Sequence, residues 1–188
     1  MLSKNKIKLI NSLSNKKNRD DLSLFVVEGT KSVLDIAQYY SCEILFATSE
    51  WIKQNSIKAK EIIEIEEPEL KKISFLKTPQ KVLAVFRKKD TIFSDDDILN
   101  SLSLVLDNIQ DPGNLGTIVR IADWFGIKNI FCSLSTADVF NPKTIQATMG
   151  AIGRVNVYYL ELLPFIEKFQ SKIPVYGTFL KGENIYKK

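Results

Sequence analysis

The spacing of apolar residues in the first half of the chain predicts short helices alternating with short strands. A helix from Ser3 to about Leu13 has apolar residues at helical spacing, and a polar loop over residues 14–21 follows it. The alternation predicts a small sheet with helices on its faces. The predicted strands are 24–28, 44–48, 61–65 and 82–86, and the predicted helices are capped by Thr30, lie around Trp51 and open at Pro68.

The second half of the chain has a more regular pattern. Strongly apolar strands separated by helices predict a parallel sheet that is covered on both faces, so the fold class is α/β. Residues 88–101 change abruptly in charge without apolar periodicity, which predicts a linker between one domain over 1–90 and another over 101–188. The predicted strands are 102–106, 129–132, 155–158 and 174–178, and the predicted helices are 114–125, 142–151 and 162–171.

Length and composition narrow the class of protein. The chain has 188 residues, 45% of them hydrophobic, which is enough for a substantial core. It has no run of about eighteen apolar residues that could span a bilayer. No long apolar segment follows the charged N-terminus, so no secretory signal is expected and a cytoplasmic location is the default.

The residue types available for catalysis are limited. The chain has no histidine, and its two cysteines, Cys42 and Cys132, lie far apart in sequence. A zinc site therefore has almost no ligands available, every histidine-dependent triad is excluded, and the cysteines are expected in the core. Any chemistry must use carboxylates, amides, hydroxyls, Arg or Lys.

Positive charge is concentrated at the start of the chain. The first 19 residues contain six Lys and Arg side chains and no acid, and Lys16, Lys17 and Arg19 fall in the predicted polar loop. These three side chains could follow the phosphates of a nucleic acid without reading its sequence. The alternative is a solvated, lysine-rich helix face without a ligand.

The segment with the clearest chemical pattern follows the first strand of the second half. Residues 106–116 read LDNIQDPGNLG, and ligands of open parallel sheets bind beyond the carboxyl ends of the strands. Asn114 begins the predicted helix, and Arg120, nearly two turns further, is expected in roughly the same sector. In the alternative interpretation Asn114 is only a helix cap and Arg120 pairs with Asp123. These patterns predict a ligand loop but do not identify the ligand.

The same segment resembles the first signature motif of the SpoU/TrmH methyltransferases, members of the SPOUT superfamily with a C-terminal trefoil knot. Residues 139–143 (VFNPK) and 147–151 (ATMGA) are similar to the next helix of that family. The resemblance implies methyl transfer from S-adenosylmethionine to a ribose 2′-OH of structured RNA, either rRNA or tRNA. It implies catalytic roles for Asn114 and Arg120, no metal, no membrane partner, and a homodimer for the full-length protein.

Two further segments resemble the substrate domain of that family, which is similar to ribosomal protein L30. They are FVVEG at 25–29 and TPQ at 78–80, and they suggest an RNA-binding role for Glu28. The alternative for Glu28 is a structural role at the end of a strand. Trp51, Phe75 and Phe93 could stack on bases, although isolated aromatic residues more often belong to a core.

The end of the sequence departs from the family pattern. After a strand like 174–178 the family has two more motifs, built around Asn-Glu-Gly and Ser-Leu-Asn, and neither occurs here. We therefore expect a truncated methyltransferase domain with an incomplete methyl-donor pocket and weak S-adenosylmethionine binding. Thr178, Phe179 and Leu180 are the expected remnant of the donor-side loop. The alternative is a non-catalytic RNA-binding protein.

Overall fold

The computed structural model describes residues 2–178, which form two β-sheets with helices packed around and between them. The sheet of the first half contains four strands, and the sheet of the second half contains three. The strands of the first sheet are β1 (Leu24–Glu28), β2 (Cys42–Ala47), β3 (Ala59–Glu64) and β4 (Val82–Arg87). The strands of the second sheet are β5 (Ser103–Leu106), β6 (Asn129–Cys132) and β7 (Asn156–Tyr159).

The first sheet is mixed, with the strand order β1-β4-β2-β3. Strand β4 runs antiparallel to both β1 and β2, whereas β2 and β3 are parallel. All five residues of β1 are buried, and the first four of them are apolar, as expected of a buried strand. The helices of this half are α1 (Lys4–Ser12), α2 (Lys16–Leu22), α3 (Thr30–Ile36), α4 (Ser49–Gln54) and α5 (Glu67–Leu70).

The second sheet is parallel, with the order β5-β6-β7, as the apolar strands and intervening helices predicted. Its helices are α6 (Asp95–Leu99), α7 (Pro112–Trp124), α8 (Pro142–Thr148) and α9 (Leu162–Phe169), and a 3₁₀ turn covers Ala151–Gly153. The predicted α/β fold class with a parallel sheet in the second half is therefore confirmed.

One hydrophobic core joins the two halves. Phe25 and Phe86 of the first sheet belong to the same buried cluster as Leu115 and Val119 of α7. The backbone of the 3₁₀ turn approaches the turn after α3 so closely that a Cβ on Gly153 would lie 2.4 Å from the ring of Tyr39. The halves therefore pack directly on each other.

Two sequence-based predictions of local structure were wrong. Residues 16–22 form helix α2, not a loop, because the side chain of Asn15 caps the backbone N–H of Lys17. The linker over 88–101 stays a prediction, and it contains helix α6, which a reciprocal capping box between Ser94 and Asp97 stabilises. Residues 174–178 form no strand, because no strand in residues 2–178 pairs with them.

The N-cap of helix α3 also differs from the prediction. Gly29, at φ 92°, occupies the N-cap position that was assigned to Thr30. The hydroxyl of Thr30 instead accepts a hydrogen bond from the indole N–H of Trp51 at 2.9 Å. Trp51 is buried, as a core aromatic should be. Within residues 2–178, none of the helices combines the length and apolarity needed to cross a bilayer.

Candidate functional site

Helix α7 begins earlier than the sequence suggested. Asp111 is its N-cap, and one oxygen of that carboxylate accepts the backbone N–H of Asn114 at 2.9 Å. Asn114 therefore lies in the first turn with an exposed side chain, and the prediction that it starts the helix was wrong by two residues. Because the cap is provided by Asp111, the amide of Asn114 is available for another partner.

The second carboxylate oxygen of Asp111 accepts a hydrogen bond from the ammonium group of Lys143, the second residue of α8, at 2.9 Å. This ion pair joins the N-terminal turns of α7 and α8. The Lys143 hydrogen bond, together with the backbone N–H of Asn114, lowers the pKa of Asp111 below its ordinary value. Asp111 is therefore a charged anchor for the turn that carries Asn114.

Arg120 also lies on the exposed side of α7. Its Nη1 approaches the thioether sulfur of Met149 at 3.0 Å. The predicted alternative pairing with Asp123 does not occur, because Asp123 instead binds the guanidinium of Arg154 through two oxygens at 2.8 and 2.7 Å. A thioether is only a weak acceptor, so the Arg120 guanidinium keeps most of its hydrogen-bonding capacity for an anion.

The expectation that Asn114 and Arg120 lie in roughly the same sector of α7 was wrong. Six residues of a regular α-helix correspond to about 600°, which leaves the two side chains about 120° apart around the axis. They therefore lie at opposite margins of the exposed face of α7, with Thr117 between them. A ligand that touches both must lie across that face, not along one row of side chains.

Close packing against α8 fixes the orientation of α7. A Cβ placed on Gly116 would lie 2.6 Å from the Cβ of Ala147 and 2.7 Å from the carbonyl oxygen of Thr144. Only glycine allows the helices to approach this closely. Met149, the left-handed C-cap of α8 at φ 50°, is thereby held beside Arg120.

The loops at the carboxyl ends of β5 and β6 are bonded to each other. The hydroxyl of Ser133 accepts the backbone N–H of Asn108 at 2.8 Å, and the backbone N–H of Ala137 donates to the carbonyl of Ile109 at 2.8 Å. Asn108 has a positive φ of 56°, a conformation that asparagine tolerates better than most residues. This edge, where ligands of parallel sheets bind, is therefore a defined surface.

The three predicted phosphate-contacting side chains of the N-terminal segment have different environments. Lys16 and Lys17 are exposed, and Lys16 pairs with Asp20 at 2.6 Å. Arg19 is only 1% exposed, and its guanidinium binds Asp138 and the carbonyls of Leu13 and Ser14. Because the guanidinium is enclosed and paired, the assignment of Arg19 to RNA binding was wrong.

Glu28 has a structural role and also faces a cleft. Its carboxylate accepts the hydroxyl of Ser74 and, at 2.8 Å, the backbone N–H of Phe75. The side chain is buried, and burial raises its pKa above the ordinary value despite these two hydrogen bonds. These two contacts fit the alternative interpretation of Glu28, a structural role at the end of a strand.

The cleft has a volume of about 480 Å³ and lies between the first sheet and helix α8. This volume is within the range of about 300–1,000 Å³ that is usual for small-molecule sites. The first turn of α7 reaches it through Gly113, the residue before Asn114. Glu28 and Phe75 were already candidates for RNA contact in the sequence, but nothing there indicated that they share a cleft with α8, because the segments are distant. Its lining includes Glu28, Phe75, Lys143 and Gln146.

The remaining candidate residues from the sequence are Phe93 and the donor-side segment 178–180. Phe93 packs edge-on against Phe131 and Tyr158, so it belongs to a small aromatic core. Thr178 is exposed, and Phe179 and Leu180 lie outside the described residues. The donor-side role of residues 178–180 therefore stays a prediction. In the part of the chain that the structure covers, no cluster of three or more acidic or cysteine side chains could bind a metal ion.

Two models of known families match the chain. Residues 101–188 match the SpoU rRNA methylase family, and residues 4–84 match the MRM3-like substrate binding domain. The chain is 27% identical over 180 residues to 23S rRNA (guanosine(2553)-2′-O)-methyltransferase RlmP of Bacillus subtilis, covering 94% of this chain and 71% of that protein. It is 29% identical over 160 residues to the mitochondrial rRNA methyltransferase 3 of Xenopus laevis, covering 80% of this chain and 38% of that protein.

Solved structures give the same result. A structure named as an RNA methyltransferase of the TrmH family from Porphyromonas gingivalis has a TM-score of 0.87 and 38% identity, covering 100% of this chain and 75% of that one. An AdoMet-bound rRNA methyltransferase from Sinorhizobium meliloti has a TM-score of 0.72 and 25% identity, covering 91% of this chain and 67% of that one. Together with the signature loop before α7, these similarities show that the chain belongs to the SpoU/TrmH family of RNA methyltransferases.

Proposed function

We propose that this protein transfers a methyl group from S-adenosylmethionine to a ribose 2′-OH of structured RNA, either rRNA or tRNA. The observation that carries the proposal is the exposure of Asn114 and Arg120 on α7, next to the carboxyl end of β5. The AdoMet-bound relative supports the donor, and the name of the Bacillus relative supports 2′-O transfer.

In the proposed reaction Arg120 binds the phosphate beside the reacting ribose. A guanidinium remains charged in proteins, so Arg120 is better suited to stabilise negative charge than to accept a proton. The planar fork can make two parallel hydrogen bonds to phosphate oxygens. Its contact with the uncharged sulfur of Met149 orients the side chain without neutralising it.

The proposed role of Asn114 is to orient the 2′-OH. Its side chain is exposed, and Asp111 fixes the turn that carries it. S-adenosylmethionine, when bound, supplies an electrophilic methyl group, so catalysis depends mainly on aligning the hydroxyl oxygen with that group. The separation of about 120° around α7 fits a nucleotide whose phosphate and 2′-OH contact opposite margins of the helix face.

The test is methyl transfer from isotopically labelled S-adenosylmethionine to unmodified rRNA and tRNA, with mass spectrometry of the nucleosides after digestion. Arg120→Lys keeps the charge and removes the fork, so we expect at least a tenfold loss of turnover. Lys128→Ala, which changes an exposed residue just before β6, is the matched control. Near-normal turnover by Arg120→Lys would contradict the bidentate role, and methylation of a base would contradict ribose transfer.

A non-catalytic RNA-binding protein is the second candidate, and the exposed Lys16 and Lys17 of the basic N-terminal segment favour it. RNA binding without any methyl transfer would support this candidate. The weak S-adenosylmethionine binding expected of this chain stays a prediction, and micromolar affinity in calorimetry would contradict it. A homodimer and a cytoplasmic location are likewise proposals, and sedimentation would test the first.

A further inference from the structure

The carboxylate of Glu28 is buried at the cleft between the first sheet and α8, and its hydrogen bonds within the protein occupy only part of its acceptor capacity. An ionised carboxylate has about four acceptor positions, and Glu28 uses one on each oxygen for Ser74 and Phe75. Glu28 is 6% exposed, yet it lines the cleft. Each oxygen therefore retains one acceptor position.

The other side of the cleft offers complementary groups. Gln146 on α8 is exposed and lines the cleft, and its amide can both donate and accept hydrogen bonds. The ring of Phe75 is half-buried and provides an apolar wall. A planar polar ligand can thus stack on an aromatic ring while its edge meets a carboxylate and an amide, which is how proteins bind unstacked RNA bases.

The surroundings of the cleft favour RNA as the source of that ligand. The loop that carries Ser74 and Phe75 also carries three exposed lysines, Lys71, Lys72 and Lys77. Exposed lysines beside an aromatic wall are suited to the phosphates that flank a splayed base. At its other end the cleft reaches Gly113, which precedes Asn114.

We propose that this cleft binds a guanine base of the RNA substrate, with Glu28 accepting hydrogen bonds from N1–H and the exocyclic N2–H and Gln146 donating to O6. The inference rests on the proposed function, because it takes the substrate to be RNA. Guanine is the base that presents two adjacent N–H donors and a neighbouring carbonyl acceptor on its Watson–Crick edge. Adenine and cytosine present one exocyclic amine there, and uracil presents a single ring N–H.

The experiment measures the affinity of the whole chain for RNA hairpins by fluorescence anisotropy at one fixed salt concentration. The hairpins are identical except for one loop position among uridines, which is guanosine, inosine or adenosine. Inosine keeps N1–H and O6 but lacks the exocyclic amine. We expect the protein to bind the guanosine hairpin about tenfold more tightly than the inosine hairpin, at the lower end of the discrimination given by a two-point base contact.

Two variants assign the contacts. Glu28→Gln should remove the difference between guanosine and inosine, because an amide has an acceptor on only one of its two terminal atoms and cannot accept from N1–H and N2–H side by side as a carboxylate does. Gln146→Ala should weaken both hairpins by a similar factor, since both bases carry O6. Gln170→Ala, an exposed change outside the cleft, should leave all affinities unchanged. Circular dichroism shows whether Glu28→Gln remains folded. Gln146→Ala changes an exposed residue, so it tests the cleft even if the protein does not tolerate the change at Glu28.

The outcomes separate this proposal from the proposed function. Equal affinity for the three hairpins, or a guanosine preference that survives Glu28→Gln, would overturn the base cleft and leave RNA methylation standing. Failure of the protein to bind any hairpin would overturn both proposals. Loss of the guanosine preference in Glu28→Gln alone, with Gln146→Ala weakening guanosine and inosine alike, is the result that the proposal requires.

Discussion

Arg19 and Asp138 form a buried ion pair between the two halves of the chain. Nε and Nη2 of Arg19 donate to one carboxylate oxygen of Asp138 at 3.0 and 2.6 Å. The other oxygen accepts the backbone N–H of Phe140 at 3.1 Å. The pair thus fixes helix α2, which contains the end of the chain's basic segment, to the turn that leads into α8.

We expect Arg19→Ala to lower the free energy of unfolding by about 3–5 kcal/mol. The substitution leaves the nearly buried Asp138 carboxylate without its cation and removes a donor from two backbone carbonyls. The measurement is equilibrium unfolding in urea. Lys17→Ala, an exposed change in the same helix, should stay within about 0.5 kcal/mol of the original protein. Equal stability of the two variants would show that the pair contributes little.

We expect Gly116→Ala to destabilise the protein although alanine has the higher helix propensity. Propensity favours the alanine by about 0.5–1 kcal/mol. The added methyl group would meet the carbonyl oxygen of Thr144 and the Cβ of Ala147, both well inside contact distance. Overpacking of this kind costs about 1–3 kcal/mol, so the net change in the free energy of unfolding should be negative.

Thermal unfolding measures this effect, and Thr117→Ala, a change at the next and exposed position of α7, is the control. We also expect Gly116→Ala to impair methyl transfer, because a shift of α7 against α8 moves Arg120 relative to Met149. A rise in the midpoint of unfolding would mean that the two helices separate at little cost.

The sequence predicted the strands better than it predicted the site. An apolar run defines a buried strand locally, and β6 has the predicted bounds. Helix α2 was missed because it has no apolar stripe, and its buried residue is Arg19, whose partner lies 119 positions away. The cleft was missed for the same reason: Glu28 and Gln146 line one cleft only because α8 packs against β1.

Glu28 should make stability depend on pH in a defined direction. Burial raises its pKa above the ordinary value of 4.5, so the folded protein binds the proton more tightly than the unfolded chain does. This contribution is fully present below about pH 4.5 and is lost as the pH rises through the higher folded value. Relative to Glu28→Gln, the original protein should therefore lose stability as the pH increases across this window.

Unfolding in urea at several pH values gives the free energy of unfolding of the original protein and of Glu28→Gln. Subtracting one from the other cancels the contributions of the carboxylates that both proteins share. Ser74→Ala provides a second comparison, because it removes a hydrogen bond that lowers the pKa of Glu28. It should extend the window to higher pH. A difference that does not change with pH would show that Glu28 titrates alike in both states.

The two cysteines should be unreactive in the folded protein. Burial raises the pKa of Cys42 and of Cys132 to about 12, so almost no thiolate is present at neutral pH, and the thiolate is the nucleophile in alkylation. Both side chains are also enclosed by the core that the two halves share. We expect intact-mass spectrometry to detect no adduct after iodoacetamide treatment at pH 7.5, and two adducts when urea is added. Rapid labelling of one thiol without denaturant would mean that the core opens locally around that cysteine, and Cys42→Ser and Cys132→Ser would identify which of the two is exposed.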